Sequence, residues 1–131
     1  MAETSAPHAY FTPLDGAEFI VLTTYRRTGA AVPTTVWFAE AGGKLYVTTG
    51  AQAGKAKRLR ANPSVLVAPS DQVGNVQGPA LQGHARVLEP HEEAPAIAAL
   101  QQKYGAAFTN LTAQMDAAQP TRGRIYIVVT P

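Results

Sequence analysis

The chain has 131 residues, of which 46% are apolar and 15% charged, and its 11 basic and 9 acidic side chains give a net charge of +2. This length fits one domain with a buried core, and the apolar content excludes a disordered chain. No apolar run approaches the ~20 residues of a membrane span, and the first twelve residues lack the basic start and apolar stretch of a signal peptide.

Cysteine is absent, which excludes disulfides and thiolate chemistry. The three histidines are scattered and form no spaced ligand set, so no metal site is expected. We therefore expect one cytoplasmic domain over residues 1–131. Residues 1–17 are predicted to form an N-terminal arm with a short turn at Thr12–Pro13, because threonine is a good helix cap and proline suits the first helical position.

The first half of the chain is rich in β-branched and aromatic residues, and three strands are predicted in it. They cover residues 18–26, 32–40 and 44–49. Glycine-containing turn signals separate them at hairpin distance. These three strands should form an antiparallel meander.

A short helix is predicted over residues 53–61, with Ala56 and Leu59 facing inward. It ends at Asn62–Pro63, because the residue before proline is pushed out of the helical region. A short apolar strand follows at 64–68, and residues 69–79 are predicted to form a loop rich in glycine and proline.

Residues 80–89 alternate with a period of two and predict a fifth strand. Two helices are expected at 92–104 and 107–117, where apolar residues recur at helical spacing, and residues 122–130 form the last strand. The predicted fold is mainly β, with six antiparallel strands, a short helix after the third and helices before the last. Six strands at this spacing favour a small closed barrel.

The stretch from residue 45 to 63 carries the chemistry-bearing pattern. A strand ends in Thr48 and Thr49, a loop of glycine and alanine follows, and Lys55 lies in the first turn of the short helix. Small residues allow close backbone approach, the hydroxyls can donate hydrogen bonds, and lysine supplies charge, as phosphate binding requires. The alternative interpretation is a solvated basic helix face.

Three segments together resemble the pyridoxamine 5'-phosphate oxidase-like split β-barrel family, and most closely its actinobacterial branch that uses the deazaflavin coenzyme F-420. They are LTTYRRTGAAVPTTVWF at 22–38, LYVTTGAQAGKAKRLRANPSVLVAPSD at 45–71 and GHARVLE at 83–89. The resemblance covers about half of the chain. It implies a split barrel that forms a homodimer, with two cofactor sites at the subunit interface.

The resemblance also implies which residues bind the cofactor. Thr35, Val36 and Trp37 would line the isoalloxazine-like ring, largely through their backbone. The phosphate would be held by Thr48, Thr49, Gly54, Lys55 and Arg58.

Two positions depart from the FMN-oxidase pattern. Gly54 stands where that pattern has a basic residue, and Gly78 stands nearest to where it has an amide side chain. Both departures suit a larger cofactor with a polyanionic tail.

The first functional hypothesis is therefore an oxidoreductase that uses coenzyme F-420 to transfer hydride to a small unsaturated organic substrate. An FMN-dependent oxidase or reductase is the second. A non-enzymatic binder of a flavin, deazaflavin or tetrapyrrole is the third. Nucleic-acid binding through residues 55–60 is the weakest, because no aromatic residues are interleaved with the basic ones, and no membrane partner is expected. No catalytic residue is assigned, because in cofactor-dependent hydride transfer the cofactor carries the reaction.

Overall fold

In a computed structural model, residues 7–50, 54–118 and 124–131 are described. All strand pairs are antiparallel, and the strands close into a barrel in the order β1-β2-β3-β6-β5-β4. The six strands are β1 Phe19–Tyr25, β2 Ala31–Ala41, β3 Lys44–Gly50, β4 Ser64–Ser70, β5 Leu81–Val87 and β6 Arg124–Thr130. The predicted six-stranded barrel is thus confirmed.

Three α-helices interrupt the strand sequence at the predicted places. One lies between β3 and β4, and two lie between β5 and β6. They are α1 Lys55–Ala61, α2 Ala94–Tyr104 and α3 Ala106–Ala118. The 3-10 helix Pro90–Glu92 precedes α2, so the helix predicted from residue 92 begins two residues later. None of the helices in the described part of the chain is long and apolar enough to cross a membrane.

The inward-facing side chains of all six strands form the barrel core. Leu22, Val47, Val67 and Val129 are completely buried there. In β5 the predicted alternation is observed, since Gly83 and Ala85 are buried while Gln82, His84 and Arg86 are exposed. This alternation is what a strand with one buried face requires.

A second apolar cluster covers the outer face of β2, β3 and β6. Helix α2 packs on all three strands. The buried members of this cluster are Ala39, Tyr46, Leu88, Ala96, Leu100, Phe108, Tyr126 and Val128. These strands are therefore buried on both faces. On α2 the inward side uses Ala96 and Leu100, which are completely buried, whereas Ile97 is 37% exposed. The small alanine lets the helix axis approach the sheet closely.

The N-terminal segment is a 3-10 helix, Pro7–Leu14, rather than a turn that starts at Thr12. Pro13 lies inside this helix, near its end. Phe11 and Leu14 are 1% and 2% exposed and belong to the barrel core. The residues predicted as an arm therefore contribute to the core, because two large apolar side chains three residues apart lie on one face of a 3-10 helix.

Strand β4 extends through Pro69 and Ser70, two residues beyond the predicted strand and into the predicted loop. Pro69 pairs with Ile20 of β1, whereas the pairing of β4 with β5 ends at Val67. The Pro69 carbonyl accepts a hydrogen bond from the backbone N–H of Gln77, on the side that β5 has left. The N–H that proline lacks would point to that same side of β4. Pro69 therefore removes no hydrogen bond from the ladder between β4 and β1.

Candidate functional site

Lys55 is a buried cation at the start of α1. The residue is only 5% exposed, and its Nζ atom donates to the Thr49 hydroxyl at 3.5 Å. Within residues 7–50, 54–118 and 124–131 no carboxylate pairs with this ammonium. Burial lowers the pKa of Lys55, and the neighbouring Arg58 guanidinium lowers it further. A buried charge without a counter-charge is costly unless a ligand supplies one.

Arg58 lies one helical turn after Gly54, and the structure brings these two predicted site residues together. Its Nε atom donates to the hydroxyl of Thr24 at 2.7 Å, and Thr24 is completely buried on the inner face of β1. Gly54 has φ of 84°, and a Cβ atom there would lie 2.9 Å from Arg58 Nη1. The glycine therefore leaves room for the guanidinium, which is held in place by Thr24.

Helix α1 buries a different face from the predicted one. Leu59 is buried as expected, but its buried companion is Lys55, whereas Ala56 is only partly buried. The helix has seven residues, so its dipole is small compared with that of a longer helix. The side chains of Lys55 and Arg58 therefore dominate the electrostatics of this end of the barrel.

The two predicted phosphate threonines point to opposite faces of β3, as strand alternation requires. Thr49 lies beside Lys55. The Thr48 side chain is on the outer face, where Thr48 pairs with Trp37 of β2, and its hydroxyl donates to the Ile125 carbonyl at 3.3 Å. Of the two threonines, Thr49 is thus the one whose hydroxyl accompanies the buried ammonium.

The three predicted ring-lining residues follow one another on β2 but differ in environment. Thr35 is exposed, Trp37 is half-buried on the outer face, and Val36 is 5% exposed inside the barrel. The described β2–β3 ladder ends at the Trp37–Thr48 pair, while the β1–β2 ladder continues to Ala31. The β3-facing edge of β2 therefore opens next to Thr35 and Val36, so that their backbone groups can meet a ligand even though the Val36 side chain cannot.

A basic cleft of about 600 Å³ lies between the β1–β2 turn and α1. Thr35 and Trp37 do not line it. A second cleft of about 450 Å³ adjoins it and shares Arg26, Arg27 and Ala61. The lining residues of the larger cleft are Arg26, Arg27, Gly54, Lys57, Arg58, Arg60 and Ala61.

Five cations and no carboxylate thus face one cleft. Of these five cations, the family resemblance assigns only Arg58 to the phosphate site. The absence of acidic residues between Lys44 and Asp71 was the available signal for this basic surface. That signal did not show that the turn and the helix would meet.

The loop after β4 is cross-linked by hydrogen bonds of Asp71 and lies close to the predicted ring-lining strand. The Asp71 carboxylate accepts hydrogen bonds from the backbone N–H groups of Val73 and Asn75 and from the Asn75 side chain. These bonds, with those from Asn75 the largest, lower the pKa of Asp71. Asp71 therefore shapes this turn through its side chain, as aspartate commonly does. Gly74, with φ of 92°, lies so close to β2 that a Cβ atom there would be 2.8 Å from Thr35 Oγ1.

We expect Gly74→Ala to lower the free energy of unfolding by about 1–3 kcal/mol, because alanine is strained at this φ and also meets Thr35. Gly29→Ala is the matched control, since Gly29 has φ of 89° and no atom within 4 Å of the added Cβ. Chemical denaturation of both variants separates the two contributions. Equal losses would contradict a tight contact between the loop and Thr35.

The sequence profile of the pyridoxamine 5'-phosphate oxidase family matches residues 6–130 of the chain. No curated protein sequence matches this chain significantly.

Solved structures share the fold at low sequence identity. The haem storage protein HutZ from Vibrio cholerae superposes with a TM-score of 0.67 at 16% identity, over 98% of this chain and 91% of that one. An F420 reductase superposes with a TM-score of 0.57 at 22% identity, over 93% of this chain and 92% of that one. A domain-swapped dimer superposes with a TM-score of 0.59 at 19% identity, over 86% of this chain and 79% of that one.

Proposed function

This chain belongs to the pyridoxamine 5'-phosphate oxidase family, and on that premise we propose that it is an oxidoreductase dependent on the deazaflavin coenzyme F-420. The proposed reaction is hydride transfer to a small unsaturated organic substrate. The observation that carries the proposal is Lys55, which is buried, has no carboxylate partner among the described residues, and begins the helix that supplies three of the five cations of the basic cleft. A phosphate with a polyanionic extension would supply negative charge both to Lys55 and to the basic cleft.

Each part of the cofactor has residues that suit it. Lys55, Thr49 and Arg58 would hold the phosphate, with Gly54 leaving space for the Arg58 guanidinium. The open backbone edge at Thr35 and Val36, together with the Trp37 side chain, would line the ring. Thr48 would support Trp37 from the neighbouring strand. When bound, the deazaflavin supplies the hydride chemistry, and the protein binds and orients it.

The basic cleft favours the deazaflavin over FMN. FMN ends at its phosphate and would leave Arg26, Arg27, Lys57 and Arg60 without an anionic partner. A polyanionic tail that continues from the phosphate would neutralise them, and such contacts weaken as salt screens them.

The test is a parallel fluorescence titration of the purified protein with coenzyme F-420 and with FMN. We expect tighter binding of F-420, and we expect the double variant Arg26→Gln/Arg27→Gln to weaken F-420 binding about tenfold, by roughly 1.4 kcal/mol, while FMN binding is unchanged. Selective FMN binding would replace this proposal with an FMN-dependent oxidase or reductase. Binding of neither would overturn both proposals and mean that the barrel binds another ligand.

Turnover separates the enzyme from a non-enzymatic binder of a flavin, deazaflavin or tetrapyrrole. With reduced F-420 and a panel of unsaturated acceptors, we expect the absorbance of the oxidised deazaflavin to return. Tight binding without oxidation by any acceptor would favour the binder.

We further propose a homodimer with the cofactor at the subunit interface. Val73 and Val76 are 80% and 57% exposed on the loop that leans on Thr35, so a partner subunit there would cover apolar surface beside the ring-lining strand. Light scattering of the eluting protein should give twice the mass of the chain. A monomer at micromolar concentration would contradict the dimer.

A further inference from the structure

Tyr104, the last residue of α2, lies where the next residue pair of the β1–β2 ladder would form its hydrogen bonds. The described ladder begins with the pair Phe19–Trp37, so Glu18 and Phe38 are the residues that would pair next. The phenol oxygen of Tyr104 lies between them, where it accepts a hydrogen bond from the Phe38 N–H at 3.0 Å. It is 2.8 Å from the Phe38 carbonyl and 2.5 Å from the Glu18 carbonyl, and its single proton can go to one of the two.

Lys103 reinforces the same junction. Its ammonium donates to the carbonyls of Ala17 and Phe38, both at 2.9 Å, and lies 3.5 Å from the centroid of the Phe38 ring. Burial of the ammonium lowers the pKa of Lys103 to about 8, and burial raises the pKa of Tyr104 to about 12. The phenol therefore keeps its proton at physiological pH and remains able to donate.

The ring of Tyr104 then fixes Trp37. The two ring centroids are 4.5 Å apart with an interplanar angle of 49°. Trp37 also meets Phe19 edge-on, at 5.7 Å and 84°, and the centroids of Phe19 and Tyr104 are 6.4 Å apart. The indole thus packs in a cluster with an aromatic ring of β1 and an aromatic ring of α2, and the position of the α2 ring is set by hydrogen bonds to the backbone of β2 itself.

We propose that Tyr104 is a positioning residue for the ring-binding part of the site. It places the Trp37 indole through its own contacts with Phe38 and Glu18, and Lys103 holds the same backbone from the adjacent position. This inference rests on the proposed cofactor function only where it says that Trp37 contacts the cofactor ring. The placement of Trp37 by Tyr104 is a property of the unliganded protein.

The test compares Tyr104→Phe with Tyr10→Phe. Each variant removes one phenol that bonds to a backbone carbonyl, and the Tyr10 hydroxyl donates to Gln82 at 2.6 Å, outside the Trp37 cluster. Trp37 is the only tryptophan, so intrinsic emission reports on it alone. In the unliganded protein, Tyr104→Phe should shift Trp37 emission to longer wavelength and lower its anisotropy, while Tyr10→Phe should change neither.

Binding provides the second readout. Tyr104→Phe should weaken F-420 binding about five- to tenfold, by roughly 1 kcal/mol, and leave inorganic phosphate binding unchanged. Unaltered Trp37 emission, or an equal loss of phosphate binding, would overturn the positioning role. Failure of the wild-type protein to bind F-420 would instead overturn the proposed function, and the emission comparison would still decide whether Tyr104 places Trp37.

Discussion

Lys55→Met is expected to weaken binding of a phosphate-bearing cofactor by about 30-fold or more, since removal of one partner of a buried charge pair costs about 2–5 kcal/mol. The reason is geometric. Lys55 is 5% exposed and its ammonium lies beside the Thr49 hydroxyl, so a phosphate there would meet a desolvated cation. Calorimetric titration with F-420 measures the loss.

The same substitution should stabilise the unliganded protein. Methionine keeps most of the side-chain volume and removes a desolvated charge, which is expected to raise the free energy of unfolding by about 1–2 kcal/mol. Lys44→Met, at an exposed position at the start of β3, is the control and should change neither binding nor stability. A Lys55→Met variant that is less stable than wild type and binds cofactor normally would show that Lys55 is a structural residue.

The pH dependence of stability gives an independent check on Lys55. Burial lowers its pKa in the folded state, so the unfolded chain binds more protons between that lowered pKa and the ordinary lysine value. The contribution of this group to the unfolding free energy therefore rises with pH across that window. Denaturation of wild type and Lys55→Met at several alkaline pH values should show a steeper rise in the wild type, because in the variant only Lys103, whose pKa is also lowered, still contributes.

Phe11→Ala is expected to lower the free energy of unfolding by about 3–4 kcal/mol, as removal of a buried phenylalanine from a core does. Phe11 is 1% exposed and packs with Leu14 in the barrel core. Chemical denaturation measures the change, and Gln102→Ala, at an exposed position of α2, should stay within about 0.5 kcal/mol of wild type. A similarly small effect of Phe11→Ala would mean that the N-terminal segment is a detachable arm.

Strand β5 could be predicted because the alternation of its residues indicates one buried face. The period-two pattern of β5 matches the observed burial of Gly83 and Ala85. The burial of Phe11 could not be predicted, since a short helix without a long periodic pattern does not show what it packs against. The extension of β4 through Pro69 depended on which neighbour each backbone group faces, and this is a property of pairing rather than of composition.

The sequence predicted which residues form part of the candidate site better than it predicted how they are arranged. Lys55 and Arg58 were identified from the motif, and the structure places Lys55 beside Thr49. The burial of Lys55 could not be predicted, because a seven-residue helix can turn either face to the barrel. Arg26 joins the site only because the β1–β2 turn and α1 meet in the folded chain, and Tyr104 reaches Trp37 from a helix more than sixty residues away in sequence.

A crystal structure of the protein grown with coenzyme F-420 tests the central claim most directly. The account predicts the cofactor phosphate within hydrogen-bonding distance of Lys55 Nζ and the Thr49 hydroxyl, with the tail in the cleft between Arg26 and Arg60. A phosphate bound away from Lys55, or a deazaflavin ring away from Trp37 and the open edge of β2, would contradict it.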